Sequence, residues 1–297
     1  MLARIQRLIV FSLLAAGFAG AVFAILLARY WLAFVVPIAS VCGYAVVLAI
    51  EFWALRASYD AVDPFRPSMR DLFAAWAGES LAAPRAFLWR QPFFERAFDD
   101  SLGGVAQGRR GVVLVHGFFC NRAIWNPWLR EFDRAGIPFI AVNLEPVFGS
   151  IDDYRATIGS AVDRLRVATS LPPVVVAHSM GGLAVRAWLA TRDDKDAAYR
   201  VVTIATPHAG TRMALGSRAR NIGQMQLESP WLAELRSRED PAGRARFICF
   251  WSHCDNIVFP TRSATLEGAD NRHLRRTAHV QMSLNRDAIA AVRELVS

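Results

Sequence analysis

Two long apolar runs open the chain, and their pattern differs from everything that follows. Leu8–Ala28 contains no charged residue and a single hydroxyl, Ser12. As a helix this run would be about 31 Å long, close to the roughly 30 Å hydrocarbon core of a bilayer. A second uncharged run, Trp31–Ile50, follows after only Arg29 and Tyr30, and would span about 30 Å. Neither run shows a polar face, which argues against a buried soluble hairpin. The pattern predicts two transmembrane helices joined by a tight turn and occupying residues 1–56, with Tyr30, Trp31 and Trp53 at interfacial positions. A cleaved signal peptide is the competing reading. Arg4 and Arg7 supply a basic start, Leu8–Phe18 an apolar stretch, and Ala19-Gly20-Ala21 a small-residue site. Against cleavage, the apolar run continues beyond Ala21 and a second run follows it.

Residues 57–108 read as a connector, punctuated by Pro64, Pro67, Pro84 and Pro92. Ser68-x-x-Asp71 has the form of a capping box, and Leu72, Phe73, Trp76 and Leu81 follow at helical spacing. The segment is rich in aromatic residues: Tyr59, Phe65, Phe87, Trp89, Phe93, Phe94 and Phe98. Two expectations stand for them, cover for one edge of a core or contact with a membrane interface. Gly108-Arg109-Arg110-Gly111 marks a boundary, and the pattern then changes. Short apolar runs at Val112–Val115, Pro138–Leu144, Val174–Ala177, Val201–Ala205 and Phe247–Trp251 predict strands. Helical segments separate them at Trp125–Ala135, Ile151–Ala168 (capped by Ser150-x-x-Asp153) and Gly181–Thr191, and Asp287–Leu295 closes the chain. This alternation predicts an α/β domain over residues 109–297, its mostly parallel sheet covered by helices on both faces.

Composition matters mainly through its location. The 297 residues are 54% hydrophobic and 20% charged, with mean hydropathy +0.23, and the excess lies largely in the first 55. That excludes a disordered chain or a disulfide-framed mini-protein. The net charge is +8, nearly all of it from Arg, since Lys195 is the only lysine. Arg4 and Arg7 precede the hairpin and Arg56, Arg66 and Arg70 follow it, whereas only Arg29 lies in the turn. The distribution predicts a cytoplasmic-membrane protein with both ends and the α/β domain on the cytoplasmic side. A periplasmic facing is the alternative. Outside the hairpin, Cys120, Cys249 and Cys254 form neither a disulfide framework nor a metal-ligand spacing. No nucleic-acid module accompanies the basic charge. No cofactor or metal is expected.

The chemistry centres on Ala177-His178-Ser179-Met180-Gly181-Gly182, which follows a buried strand and opens a helix. A sharp strand-to-helix turn lifts a serine hydroxyl clear of the sheet, and small neighbours permit the crowding this requires. Ala177 departs from G-x-S-x-G but remains small. Serine needs a general base. Of the six histidines, His116 ends the first strand, His178 lies inside the turn itself, His208 follows a strand in Thr206-Pro207-His208, and His253 stands two residues before an acid. His273 and His279 lie after the last predicted strand. Chain order Ser…Asp…His favours His279, before an apolar stretch, over His273. The acid should come off a strand between serine and histidine: Asp255 does so directly after Phe247–Trp251, while Asp270 reads as a turn residue. The N–H groups of Met180 and Phe118 are the expected oxyanion donors. Cys120, near that loop, reads as a buried small residue.

Taken together, Val115-His116-Gly117-Phe118, the serine motif, Thr206-Pro207-His208-Ala209-Gly210-Thr211, Asp255 and His279 resemble bacterial triacylglycerol lipases and esterases of the α/β-hydrolase fold. The resemblance covers about residues 110–297. It implies an acyl-ester or lipid substrate and a serine ester hydrolase acting through Ser179, His279 and Asp255. Acyltransferases and lipid-remodelling deacylases share these motifs, and a silent, membrane-bound scaffold of the fold is the non-enzymatic alternative. In related enzymes a stretch like residues 209–245 acts as a lid or acyl-chain wall. Here it mixes Met213, Leu215, Met225, Leu227, Trp231, Leu232 and Leu235 with Arg212, Arg218 and Arg220. Ordinary amphipathic packing is the alternative. Arg272, Arg275 and Arg276 stand near His279 and would either attract an anionic head group or form a solvated face. The N-terminal hairpin is foreign to the typical secreted lipase.

Overall fold

The computed structural model describes residues 1–102, 108–194, 196–214 and 219–297. Leu215 and Arg218 of the expected insertion lie outside the described residues. The first apolar run forms one helix, α1 (Leu2–Leu26), long and apolar enough by length and composition to cross a membrane. Ala28, at positive φ, turns the chain into α2 (Tyr30–Cys42). Here the structure departs from two straight spans. The second run breaks at Gly43 and continues as α3 (Tyr44–Ala57), bent 50° from α2. Glycine is a weak helix former, which lets the axis change direction there. The bend turns α3 onto the catalytic domain. Phe52 and Leu55, in its last turns, are buried with Cys254, Phe259 and Ala278. The expected boundary at residue 56 therefore falls inside a helix that is already docked.

Next comes α4 (Met69–Pro84), opened by a complete Ser68–Asp71 capping box. It braces α3 through Trp76 Nε1–H to the Ala45 carbonyl (2.9 Å) and Tyr44 O–H to the Ser80 carbonyl (2.6 Å). A wide helical turn over Arg85–Arg90 leads into the short α5 (Gln91–Phe93). Some of the connector's aromatic residues cover the core and others are exposed. Phe65 packs on Trp251 and His273, and Phe87 and Phe98 pack on the core, whereas Phe73 and Trp89 are exposed.

Among the described residues the sheet holds six parallel strands in the order β2-β1-β3-β4-β5-β6. They are β1 (Val112–Val115), β2 (Phe139–Ala141), β3 (Val174–His178), β4 (Arg200–Ile204), β5 (Phe247–Ser252) and β6 (Asp270–Leu274). Strands buried on both faces read as unbroken apolar runs, and that holds here. Val113, Val115, Val175 and Ala177 face one core with α7 (Arg155–Thr169) and α8 (Met180–Leu189). Val112, Leu114, Val174 and Val176 face the other core with α6 (Asn126–Arg134) and α12 (Arg286–Val296). Between β4 and β5 lie α9 (Arg220–Gln224) and α10 (Pro230–Arg238), and α11 (His279–Met282) follows β6.

One strand was not expected. β6 pairs with β5, so Asp270 opens a strand and His273 lies on it, not in a terminal loop. Its sequence, Asp-Asn-Arg-His-Leu, carries no apolar alternation because an edge strand with mostly exposed side chains has little surface to bury. The expected strand at Pro138–Leu144 is shorter, Phe139–Ala141, and the predicted helices at Trp125 and Ile151 begin with tight 3-10 turns.

Candidate active site

The carboxyl ends of the parallel strands converge on one edge of the sheet, where open α/β sheets form their sites. β3 ends at His178, and Ser179 makes the turn into α8 with φ 54° and ψ −130°. Such a conformation is costly for a residue with a Cβ and persists only where surroundings enforce it. Here the Ser179 N–H is held by the Ile204 carbonyl (2.9 Å), and its carbonyl accepts from Thr206 Oγ1 (2.9 Å) and the Gly182 N–H (3.0 Å). The turn also needs glycine on two sides. A Cβ on Gly181 would lie 2.5 Å from the His116 carbonyl oxygen, and one on Gly117 would lie 2.8 Å from the Ser179 Cβ.

His279 opens α11, 100 residues beyond Ser179, and its Nε2 lies 3.0 Å from Ser179 Oγ. Its Nδ1 lies 2.9 and 3.1 Å from the two carboxylate oxygens of Asp255. Asp255 follows β5 in a tight turn, fully buried, where Oδ1 also accepts the N–H groups of Ile257 and Val258 at 2.9 Å. Burial alone would lower the His279 pKa. The charge of Asp255 and its hydrogen bond, with further help from Glu79 and Glu51, outweigh that, and the imidazole is held above the ordinary histidine value. Ser179, His279 and Asp255 are thus one hydrogen-bonded relay. Met180 opens α8, whose first N–H groups have no partner within the helix. Phe118 follows Gly117 and faces the same cavity as Ser179.

The remaining histidines are engaged elsewhere. His178 approaches the His279 carbonyl through Nε2 (3.1 Å) beneath the His279 ring, and burial, with the neighbouring imidazole's charge, pushes its pKa down to about 3. His116 Nε2 accepts the Leu144 N–H (3.0 Å), and burial holds its pKa at about 4. His208 contacts Thr203 Oγ1 (3.0 Å), and Arg186 donates to its carbonyl (2.8 Å). His273 pairs with His253 at 2.8 Å, away from Ser179. Burial pushes the Cys120 thiol up to about 12, which keeps it protonated and unreactive. Arg272 pairs with Asp270 (2.8 Å) and Arg276 with Asp71 (2.6 Å), so both guanidinium groups are engaged within the chain.

Three positions bonded around His279 escaped the sequence reading. Glu79, on α4, is 1% exposed and accepts the N–H groups of Val280 and Gln281, both at 2.9 Å. It therefore holds the first turn of the helix that carries His279. Burial pushes its pKa up to about 7, against the lowering effect of those two hydrogen bonds. Asn256 accepts the His279 N–H (3.2 Å) and donates to Glu51 of α3 (2.6 Å). A signal existed for Glu79: it shares the buried stripe of α4 with Leu72, Ala75 and Ala82, and a charge on such a stripe needs a partner. Nothing comparable marked Asn256 or Glu51.

Above Ser179 lies a cavity of about 610 Å³, predominantly apolar. Met213, Ala214, Ile222 and Met225 of the expected insertion line one side. The N-terminal helices line another, a placement the reading of residues 1–56 as an anchor did not anticipate.

Comparison with known proteins agrees with this architecture. Residues 112–296 match the family model described as the alpha/beta hydrolase family. No curated protein sequence matches the chain. Among solved structures, the mature form of lipase BlEst2 from Bacillus licheniformis superposes with TM-score 0.56 at 16% identity, covering 64% of this chain and 93% of that one. Lipase B from Aspergillus fumigatus gives 0.56 at 17% identity, covering 65% of this chain but only 53% of that one, so this chain spans about half of its length. At these identities the likeness is one of fold. The family match covers every strand of the sheet together with Ser179, Asp255 and His279, and the chain belongs to the alpha/beta hydrolase family.

Proposed function

We propose that the protein is a membrane-anchored serine hydrolase that cleaves carboxylic acyl esters through a Ser179–His279–Asp255 triad. The observation that carries this reading is the unbroken relay from Asp255 through His279 to Ser179 Oγ, opening on an apolar cavity. Ser179 Oγ attacks the ester carbonyl carbon as His279 Nε2 takes the hydroxyl proton. The resulting oxyanion is received by the N–H groups of Phe118 and Met180. As the intermediate collapses, the C–O bond to the alcohol breaks, and the departing oxygen takes the proton from His279. Water then attacks the acyl-serine, gives its proton to His279, and releases the carboxylic acid as the proton returns to Ser179. Asp255 keeps the imidazole oriented and stabilises its cation throughout.

The anchor in this reading is α1 with α2, set in the cytoplasmic membrane of a bacterium, with the catalytic domain facing the cytoplasm. It is supported by the length and apolarity of α1 and by the arginines flanking the two runs. The first turns of α1 are docked, with Leu2, Ala3 and Gln6 buried and Gln6 Nε2 donating to the Phe119 carbonyl (3.3 Å), which fits a start of α1 on the same side as the catalytic domain.

The test is Ser179→Ala assayed with a p-nitrophenyl acyl ester and a fluorophosphonate probe. Hydrolysis should fall at least about a thousandfold, and labelling should disappear, while the melting profile is retained. A Ser179→Ala protein as active as wild type would overturn the assignment.

A further inference from the structure

The N-terminal helices do more than hold the enzyme at a surface. On α3, Tyr44, Val47, Leu48 and Glu51 all line the cavity above Ser179. Their spacing of three, four and seven residues puts them on one helical face. Val46, Ile50 and Trp53 point elsewhere and are exposed. Leu13 of α1 and Val41 of α2 continue the same wall. All of these residues lie outside the 112–296 region that matches the family, so this wall is a feature of the present chain.

Two properties of the wall identify what it receives. The first is its chemistry. Its carboxylates are already engaged, Glu51 by Asn256 and Glu79 by the N–H groups of Val280 and Gln281. What remains toward the N-terminal helices is chiefly aliphatic. The second is where it opens. Val41 and Val47 line the cavity yet are 38% and 56% exposed, so the cavity is open beside them. Phe34 and Ile38, seven and three residues before Val41 on the same face of α2, are exposed and apolar. An opening of this kind suits a ligand arriving from lipid better than one arriving from water.

We propose that α1–α3 form the acyl-chain wall of the active site, and that the substrate is a long-chain carboxylic ester entering from the bilayer, its chain lying along Leu13, Val41, Val47 and Leu48 with its carbonyl at Ser179. This rests on the serine-hydrolase reading above and adds the substrate class.

The experiment uses the full chain in detergent micelles with p-nitrophenyl butyrate and p-nitrophenyl palmitate, and reads the ratio of the two kcat/KM values. Leu48→Trp fills the wall at a buried position. Val47→Trp fills it at the open end, where a larger side chain has room and folding is less at risk. Val46→Trp adds the same bulk on the opposite face of α3, where Val46 is exposed. The palmitate-to-butyrate ratio should fall at least tenfold in Leu48→Trp and Val47→Trp and stay within about twofold of wild type in Val46→Trp. An unchanged ratio in Val47→Trp, or an equal fall in all three variants, would overturn the acyl wall while leaving the hydrolase reading intact. A wild-type protein that hydrolyses neither ester and takes up no fluorophosphonate would instead overturn the hydrolase reading, and this proposal with it.

Discussion

Replacing Glu79 by glutamine should change how stability depends on pH, and the structure fixes the direction. The carboxyl is 1% exposed, and burial raises its pKa from the usual 4.5 to about 7. Asp255 pushes in the same direction, while the Val280 and Gln281 N–H groups and the His279 charge pull the other way. The folded state therefore binds this proton more tightly than the unfolded chain does. The associated stability is fully present below pH 4.5 and is lost as pH rises through 7. At about 1.4 kcal/mol per tenfold in proton affinity, the loss amounts to about 3 kcal/mol over that window. Glutamine has nearly the same shape and does not titrate. At pH 4.5 the variant should be close to wild type or slightly weaker, because its amide cannot accept both N–H groups. Between pH 4.5 and 8 it should gain about 3 kcal/mol relative to wild type. Titrating groups remote from Glu79 are common to both proteins and cancel in the difference, whereas His279, whose pKa Glu79 helps to raise, titrates lower in the variant. Thermal or denaturant unfolding of both proteins at several pH values measures it directly. A difference that stays constant across the range would refute the placement of Glu79 as a buried, titrating carboxyl.

Two further predictions follow from the same geometry. Because His279 must be neutral to accept the serine proton and its pKa is raised, kcat/KM should fall as pH drops through a midpoint above the ordinary histidine value of about 6.5; a midpoint at or below that value contradicts the Asp255 contact. Glu239 meets the buried Arg186 guanidinium at 2.6 and 2.9 Å, tying α8 to the chain just after α10. Glu239→Ala should cost about 3–5 kcal/mol by stranding that cation, seen as a clear drop in Tm, whereas an unchanged Tm would mean the pair is not holding the insertion.

The candidate site was legible to different depths. Ser179 stood out because the turn that presents it is built from adjacent residues, Val174 through Gly182. Asp255 and His279 were reachable through chain order and the predicted strand before Asp255. Glu79 was harder, since its partners Val280 and Gln281 lie some 200 residues away, and only its place on an apolar stripe hinted at them. β6 was missed because an exposed edge strand has no buried face to write into its sequence.

The sequence by itself determined the alternation of buried strands and covering helices, the sharp turn at Ser179, and the apolar character of residues 8–50. Each follows from local patterning: which neighbours are apolar, at what period, and where small residues permit a turn. Tertiary structure alone decided that Glu79 grips the loop of His279, that Asn256 joins His279 to Glu51, and that α3 bends at Gly43 to line a cavity. Hydropathy cannot separate a helix face turned to lipid from one turned to an apolar cavity, because both environments select the same side chains. Only the packing of α3 against α4 and the catalytic domain distinguishes Leu48 from Ile50.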